Sequence, residues 1–279
     1  MTEKSLNLHE FHHSLGARFA ELNGAEIVAD YGDWLAEHRA LRESAGVLDL
    51  SFRGRLCVIG ADRVRFLHGQ VTNDVKKLRA GEGCYAVLVT AKGKMESDLN
   101  LFALADELLL DFEPGLTAKI SARLEKYIVA DDVQIVDASP HYGLLSVQGP
   151  KAGDVVRALG LFAELPAKPF ATQKISDPTL GEIYLMNHAL LDGRAFGVRW
   201  QAQRDTAIDS QTSGESKAPS SLRSAGAVQT GFDLFVPTNS LDAVADKVIA
   251  AAKSLGGRAC GWTAFETARI EAGIPRFGA

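Results

Sequence analysis

A single acid at the start of a predicted strand is the clearest candidate for chemistry in this chain. Residues 85–90 (YAVLVT) and 98–104 (DLNLFAL) have the apolar character of two neighbouring buried strands. The stretch 91–95 between them, AKGKM, is a glycine-centred turn with two lysines, so the two runs predict a hairpin. Asp98 lies at the mouth of the second strand, where a carboxyl group can exchange a proton or hydrogen-bond a ligand.

The elements that position Asp98 predict an α+β chain rather than a doubly wound sheet. Apolar runs predict further strands at 55–60, 107–112, 133–136, 142–147, 182–186, 197–200 and 230–237. Helical spacing predicts helices at 115–128, 150–159, 241–255 and 263–272. The spacing is also helical over 8–42, with a break at Gly24.

Composition restricts the function. The chain has 279 residues, of which 46% are hydrophobic and 23% charged, which is typical of soluble globular proteins. A net charge of -5 provides no general basic field, so we expect no stable binding to nucleic acid. No stretch has the length and apolarity of a signal peptide or membrane span, which predicts a cytoplasmic protein without a membrane partner.

The metal-binding residue types do not form a convincing ligand set. Cys57, Cys84 and Cys260 are far apart and lack a CxxC pair, which argues against a disulfide framework, a zinc knuckle or an iron–sulfur site. The HEFHH run from His9 to His13 lacks a fourth ligand nearby, and a helix end explains it better than a metal site. We predict no metal site.

Residues 205–228 differ from the rest of the chain. They are rich in Ser, Thr, Gly, Lys and Pro and carry almost no apolar residue that could anchor a core. This composition predicts a flexible loop. Strand and helix patterns resume after it, so the loop does not divide the chain into domains.

Four motifs in sequence order resemble the YgfZ and glycine-cleavage T-protein superfamily. They are FLHGQVTNDV at 66–75, AKGKM at 91–95, VQGPKA at 147–152 and RIEAGIPRFG at 269–278. The resemblance implies an aminomethyltransferase folate-binding fold, in which mixed antiparallel sheet forms two interleaved α/β lobes. It implies one folate-binding domain over residues 1–279, and tetrahydrofolate or a derivative as the cofactor. The sequence stops before the superfamily's C-terminal β-barrel domain, so we expect that domain to be absent.

The resemblance also assigns site residues. Asp98 takes the place of the second, catalytic aspartate of the T-protein hairpin, and Ser97 replaces the first. Tyr85 takes the place of the aromatic that lines the pterin pocket, and Asp233 that of the acid that binds the pterin edge. Further cofactor-binding candidates are Phe102 for ring packing, Lys94 for the glutamate tail, and Gln70 and Asn73 in the preceding loop.

The sequence is compatible with three functions. AKGKM and GQVTNDV are most similar to the YgfZ branch, which implies a folate-binding protein that supports iron–sulfur cluster assembly or repair, with iron–sulfur client or assembly proteins as partners and a link to tRNA modification. The alternative is an aminomethyltransferase-type one-carbon transferase, although Phe265 stands where T-proteins carry an arginine and no tyrosine follows near Ile274. The third is an interaction module without a competent pocket.

Overall fold

The computed structural model describes residues 5–190 and 230–278, which contain thirteen strands, seven α-helices and two short 3-10 helices at Val75–Lys77 and Thr238–Ser240. The strands are β1 Arg18–Leu22, β2 Ala25–Asp30, β3 Gly46–Asp49, β4 Gly54–Ile59, β5 Glu82–Val89, β6 Met95–Ala103, β7 Glu107–Phe112, β8 Gln134–Asp137, β9 Tyr142–Gln148, β10 Thr172–Asp177, β11 Gly181–Asn187, β12 Gly231–Pro237 and β13 Arg258–Ala259. The helices are α1 His9–Ser14, α2 Trp34–Glu43, α3 Arg63–His68, α4 Thr117–Glu125, α5 Ala152–Ala158, α6 Leu241–Ser254 and α7 Trp262–Glu271.

Two large sheets form the two lobes. The five-stranded sheet has the order β5-β6-β7-β4-β8, and the six-stranded sheet has the order β10-β11-β12-β9-β3-β13. Within these sheets only β13 and β3 pair in parallel among the described strands. All strands of the first sheet lie between β3 and β9 in sequence, so the lobes are interleaved. The predicted fold class is therefore confirmed.

Both faces of each large sheet are covered. Helices α3 and α4 pack on the outer face of the five-stranded sheet through Phe66, Leu67, Ile120 and Leu124. Helices α5 and α6 cover the outer face of the six-stranded sheet. The inner faces meet in a third cluster that includes Phe102, which we call the inter-sheet layer; its buried residues are Ala40, Leu41, Leu48, Leu50, Cys57, Phe102, Leu104, Leu109, Leu144, Met186, Phe235, Cys260, Ala264, Phe265 and Ala268.

Strand β4 shows how the sequence divides these layers. Its Leu56 and Val58 side chains point to the outer core, whereas Arg55, Cys57 and Ile59 alternate with them and face the six-stranded sheet. An apolar run buried on both faces therefore carries a charged residue toward the inter-sheet layer.

The prediction of helical structure through residues 18–30 is wrong. Strands β1 and β2 form a separate two-stranded hairpin, with Leu22 opposite Ala25. Asn23 and Gly24 both have positive φ, 52° and 80°, as a tight two-residue hairpin turn requires. Helices occupy only His9–Ser14 and Trp34–Glu43 of the stretch that was predicted helical.

Two further sequence predictions concern residues outside those described, namely the strand at 197–200 and the loop at 205–228. Within the described residues, no helix has the length and apolarity that a membrane span needs. No group of three or more His, Cys, Asp or Glu side chains in the same residues is arranged to hold a metal ion.

Candidate functional site

A cleft opens at one end of the inter-sheet layer, and its empty space, with the part open to solvent included, is about 540 Å³. Strands β5 and β6 form one wall, and α7 with the segment that follows it forms the opposite wall. Asp98 and Tyr85, the two leading sequence candidates, both line this cleft. The described lining residues are Arg53, Tyr85, Asp98, Leu99, Asn100, Glu113, His188, Leu190, Trp262, Phe265, Arg269, Ile274, Pro275 and Arg276.

The hairpin brings Asp98 and Tyr85 together. Tyr85 pairs with Asn100 and Val87 with Asp98, so Tyr85 and Asp98 are diagonal neighbours on one face of the sheet. The hairpin turn has Gly93 at φ 78°, and Thr90 and Lys94 close it with a backbone hydrogen bond of 2.8 Å. The predicted hairpin is therefore confirmed. Strands β5 and β6 each begin three residues earlier in the sequence than predicted.

The carboxyl group of Asp98 is partly buried and accepts a hydrogen bond from the Tyr85 hydroxyl at 3.1 Å. Burial raises the pKa of Asp98, and the charge of Glu113 adds to this, while the Arg53 guanidinium opposes it. Burial and the adjacent Asp98 charge also raise the pKa of Tyr85, so its hydroxyl stays a donor at neutral pH. A carboxyl with a raised pKa in a cleft is suited to proton exchange.

Arg53 lines the cleft and binds two buried carboxylates. Its Nε and Nη2 atoms donate to the two carboxylate oxygens of Asp111 at 2.8 and 2.9 Å, and its Nη1 donates to Glu113 at 2.8 Å. Burial acts against this positive charge, but the two carboxylates outweigh burial and raise the pKa of Arg53. The bidentate geometry holds Arg53 beside Asp98 without a direct ion pair between them.

The segment after α7 closes the opposite wall. Arg276 donates to Glu113 at 3.1 Å, and its guanidinium lies 5.4 Å from the centre of the Trp262 ring. Arg269 donates to Glu266 and to the backbone carbonyl of Ile274, which fixes the turn out of the helix. Arg269 and Arg276 therefore place positive charge on this wall. Phe265, which lines the same wall, is uncharged.

Asp233 lies behind the cleft wall. It is buried on β12, and its Oδ2 is 2.6 Å from Nδ1 of His188, whose side chain lines the cleft. The other carboxylate oxygen, Oδ1, is buried and has no hydrogen-bond partner among the described residues. Asp233 therefore reaches the cleft through His188.

The remaining candidates do not line the cleft. Phe102 is buried in the inter-sheet layer, where its ring lies 6.2 Å from that of His188. Asn73 donates to the Tyr85 carbonyl at 2.9 Å, and Gln70 accepts from Arg123 at 2.6 Å, so both brace the hairpin. Lys94 is exposed at the hairpin turn. Their assignment as cofactor-binding residues stays a prediction.

Sequence reasoning missed several lining residues, notably Arg53, Glu113, His188, Trp262 and Arg276. Arg276 lies within the RIEAGIPRFG motif, which indicates the family but does not by itself identify a cleft residue. Glu113 directly follows the predicted strand 107–112, where a polar residue at a strand end is a usable signal. His188 and Trp262 carried no signal, since only the tertiary fold brings them to Asp98.

Comparisons with known proteins agree with this architecture. The profile of the GCVT N-terminal domain family matches residues 8–186. The chain is 28% identical over 281 residues to an aminomethyltransferase of Corynebacterium jeikeium strain K411, covering 100% of this chain and 67% of the relative. It is 29% identical to an aminomethyltransferase of Deinococcus deserti, covering 99% of this chain and 66% of the relative.

A solved structure shares the fold. Glycine cleavage system aminomethyltransferase T from Bartonella henselae superposes with a TM-score of 0.75 at 23% identity, over 98% of this chain and 63% of that protein. The chain spans about two thirds of the length of the curated relatives named above. The resemblance to the T-protein superfamily is confirmed, while its YgfZ branch stays a prediction. By the match over residues 8–186, this chain belongs to the GCVT N-terminal domain family.

Proposed function

We propose that this chain binds tetrahydrofolate or a derivative in the cleft around Asp98 and acts as a folate-dependent aminomethyltransferase-like enzyme. The observation that carries the proposal is the partly buried Asp98 carboxyl, hydrogen-bonded to Tyr85 inside the cleft. The names of the relatives support the transferase over the iron–sulfur function that the sequence favoured first.

The residues present fit a reduced pterin. Leu99, Leu190 and Ile274 give the cleft apolar walls, and Trp262 offers an aromatic surface. The Asp98 carboxyl lies in the cleft and offers an acceptor to a ligand that donates hydrogen bonds. The amide and amino edge of a pterin is such a donor. When bound, tetrahydrofolate supplies the nitrogen that accepts a one-carbon unit.

Asp98 has the properties of a group that exchanges a proton with a ligand. Its raised pKa brings its protonated and ionised forms closer in free energy at neutral pH than in an exposed aspartate. Tyr85 orients the Asp98 carboxyl group through its hydrogen bond to Oδ2. Arg53 is a positioning residue, because its charge limits how far burial raises the pKa of Asp98.

A second candidate function is the YgfZ-type folate-binding accessory protein for iron–sulfur enzymes. The observation that favours it is Phe265, which lies in the cleft wall at the position where T-proteins carry an arginine. A transferase must align the aminomethyl donor with the folate nitrogen, and an apolar side chain there provides no charged contact for the donor. Folate binding is common to both candidates, and turnover separates them.

The test is turnover with an aminomethyl-loaded lipoyl carrier protein and tetrahydrofolate. The transferase proposal predicts methylenetetrahydrofolate formation that falls by about 100-fold or more in Asp98→Asn, in line with the loss of a general acid or base. Glu182→Gln is the matched control, because Glu182 does not line the cleft, and it keeps wild-type turnover. Folate binding without turnover in the wild-type chain would support the accessory function instead.

A further inference from the structure

His188 brings an imidazole from the six-stranded sheet to the cleft. It directly follows β11, and its backbone is held by two hydrogen bonds. Its N–H donates to the Gly231 carbonyl at 2.9 Å, and its carbonyl accepts from Nε2 of Gln148 at 2.9 Å. The side chain is 6% exposed and lines the cleft. The imidazole therefore extends into the cleft wall from a fixed backbone position.

Two phenylalanine rings hold the imidazole of His188. The centre of the Phe170 ring lies 5.3 Å from the imidazole centre, and the Phe102 ring meets the imidazole edge to face at 6.2 Å. Because protein interiors are close-packed, these two rings leave the imidazole little room to turn. A group that is already held in one orientation loses less conformational entropy when a ligand binds.

Asp233 determines which ring nitrogen of His188 carries the proton. Its Oδ2 lies 2.6 Å from Nδ1, and both side chains are buried. An ionised carboxylate only accepts hydrogen bonds, so Nδ1 is the donor in this pair. In a neutral imidazole the second nitrogen, Nε2, then carries the free lone pair and is an acceptor.

Nε2 of His188 is open, whereas the carboxylate oxygens of Asp233 are not. Nε2 has no hydrogen-bond partner among the described residues, and it does not belong to the buried side-chain atoms that lack one. It therefore has accessible surface, and His188 meets open space at the cleft. Oδ2 of Asp233 is bound to His188, and Oδ1 is buried. A ligand in the cleft can thus contact His188 but not Asp233.

The cleft offers the acceptor of His188 in addition to that of Asp98. Glu113, the other acid that lines the cleft, is already bound by Arg53 and Arg276. A reduced pterin carries N–H groups on more than one edge of its ring. One of them can donate to Asp98 while another donates to His188.

We propose that Nε2 of His188 accepts a hydrogen bond from an N–H group of the pterin ring, and that Asp233 is a positioning residue that acts on the ligand only through His188. This inference rests on the proposed folate binding. Asp98 and His188 are acceptors from different sheets, and together they fix the orientation of the pterin ring in its own plane.

Two substitutions of His188 separate contact with the ligand from support of the fold. Asn places its amide near the position of Nδ1, so His188→Asn keeps a donor to Asp233 but has no atom at the position of Nε2. Gln is one carbon longer, so His188→Gln keeps an acceptor at the position of Nε2 and loses the donor to Asp233. His13→Asn is the matched control, because His13 is exposed and does not line the cleft.

The measurements are calorimetric titration of the full chain with tetrahydrofolate and thermal unfolding without ligand. We expect His188→Asn to bind about tenfold more weakly than wild type, the loss of one hydrogen bond, and His188→Gln to bind within about threefold of wild type. His188→Gln should have the lower melting temperature of the two, because it leaves the buried Asp233 without a donor. His13→Asn should keep wild-type affinity.

The tail-less ligand 6-methyltetrahydropterin locates the contact on the pterin ring. His188→Asn should weaken its binding by the same factor as for tetrahydrofolate, to within about twofold, because the two ligands share the ring. A loss of affinity for tetrahydrofolate alone would place His188 at the glutamate tail and overturn the proposal.

NMR of ¹⁵N-labelled histidines in the wild-type chain tests the contact without a variant. His188 turns Nδ1 to Asp233, whereas His12 turns Nε2 to Asp49, so the tautomer distinguishes the two histidines that are buried among the described residues. Saturation with tetrahydrofolate should shift the Nε2 resonance of His188 and leave Nδ1 bonded to Asp233.

The outcomes separate this inference from the folate proposal. Wild-type affinity in His188→Asn, or an unmoved Nε2 resonance at saturation, overturns the role of His188 and leaves folate binding standing. Affinities of the two variants that follow the order of their melting temperatures would assign His188 a structural role and also overturn it. Absence of tetrahydrofolate binding in the wild type would overturn both.

Discussion

Asp98 and Tyr85 form a unit in which each side chain changes the ionisation of the other. The hydroxyl donates to the carboxylate at 3.1 Å, and burial raises the pKa of both groups. A carboxyl with a pKa above its ordinary value of 3.8 is more strongly protonated in the folded protein than in the unfolded chain. Ionisation of Asp98 therefore costs stability as the pH rises through its folded pKa.

This cost predicts the behaviour of Asp98→Asn. The substitution removes the ionisation and keeps a hydrogen-bond acceptor for Tyr85, so the variant should be more stable than wild type at pH 7. Its advantage should shrink as the pH falls and vanish at about pH 3, below the unfolded pKa, where wild-type Asp98 is protonated in both states. Urea denaturation across this pH range measures the difference.

Asp177→Asn is the control of opposite sign. Hydrogen bonds from Thr179 and Leu180 lower the pKa of Asp177, so its ionised form stabilises the folded protein above its unfolded pKa. The Asn variant should lose stability at pH 7 and regain wild-type stability in acid. A stability gap in Asp98→Asn that is independent of pH would contradict the assignment of a raised pKa.

Glu113 joins Arg53 and Arg276 across the cleft, with contacts of 2.8 and 3.1 Å, and it is 5% exposed. Glu113→Gln removes the charge that both arginines share, so we expect the free energy of unfolding to fall by about 1–3 kcal/mol. Glu182→Gln breaks an exposed pair with Lys174 and should cost less than about 1 kcal/mol. Chemical denaturation of the two variants compares them, and equal losses would argue against a buried network.

At the residue scale, the sequence predicted the pair at the hairpin but not the groups around it. Asp98 and Tyr85 are close because they lie on two strands that pair directly through a hairpin. The glycine-centred AKGKM segment predicts the turn of this hairpin. Arg53, His188 and Arg276 come from segments far apart in the chain. Spacing rules cannot place them, because their positions depend on how the two sheets pack.

At the scale of elements, helix α7 depends on one buried acid of α2. Glu37 is fully buried, and its carboxylate accepts hydrogen bonds from the backbone N–H groups of Tyr31 at 2.7 Å and Gly261 at 2.8 Å. Burial raises the pKa of Glu37, while the two N–H groups oppose the rise. These bonds fix the residue at which α7 begins, and α7 carries Trp262, Phe265 and Arg269 to the cleft.

Glu37→Ala leaves the two buried N–H groups without an acceptor, so we expect a loss of about 2–4 kcal/mol in the free energy of unfolding. Glu43→Ala, an exposed change at the end of the same helix, should cost less than about 0.5 kcal/mol. Guanidinium denaturation measures both. A cost for Glu37→Ala no larger than that for Glu43→Ala would show that the carboxylate does not anchor α7.

The sequence predicts a strand or helix correctly where its apolar residues recur with a clear strand or helix period. Strands β4 to β7 and helix α6 match the expected runs, because both faces or one full stripe of each is buried. The helical spacing on both sides of Asn23-Gly24 predicts an interrupted helix and not the β1–β2 hairpin, although this pair is also a strong signal for a hairpin turn. Strand β1 is largely exposed and β2 is largely buried, so neither shows a regular alternation of buried and exposed residues.

At the scale of the whole molecule, both sheets contribute residues to the cleft and its support, because the lobes are interleaved. The five-stranded sheet contributes Tyr85 and Asp98, while His188 and Asp233 come from the six-stranded sheet and its connections. The chain crosses from β3 into the first lobe and returns at β9, so neither sheet is formed from one continuous segment. The family resemblance predicted this architecture, which local sequence periods alone do not specify.

Thermal unfolding tests this coupling. Because the lobes share the inter-sheet layer, the described fold should unfold in one cooperative transition, with the calorimetric and van't Hoff enthalpies equal. Tetrahydrofolate at about 100 times its Kd should add about 2.7 kcal/mol of stability to the whole transition. Two resolved transitions, of which folate shifts only one, would show that the lobes are independent.

Calorimetric titration of the chain with tetrahydrofolate, beside Asp98→Ala and Asp154→Ala, tests folate binding in the cleft most directly. Asp98 lines the cleft, whereas Asp154 is exposed on α5 and does not line it. We expect saturable one-site binding in the wild type, a loss of about tenfold or more in Asp98→Ala, and affinity within about twofold of wild type in Asp154→Ala. Absence of binding in the wild type, or equal affinity in Asp98→Ala, would contradict it.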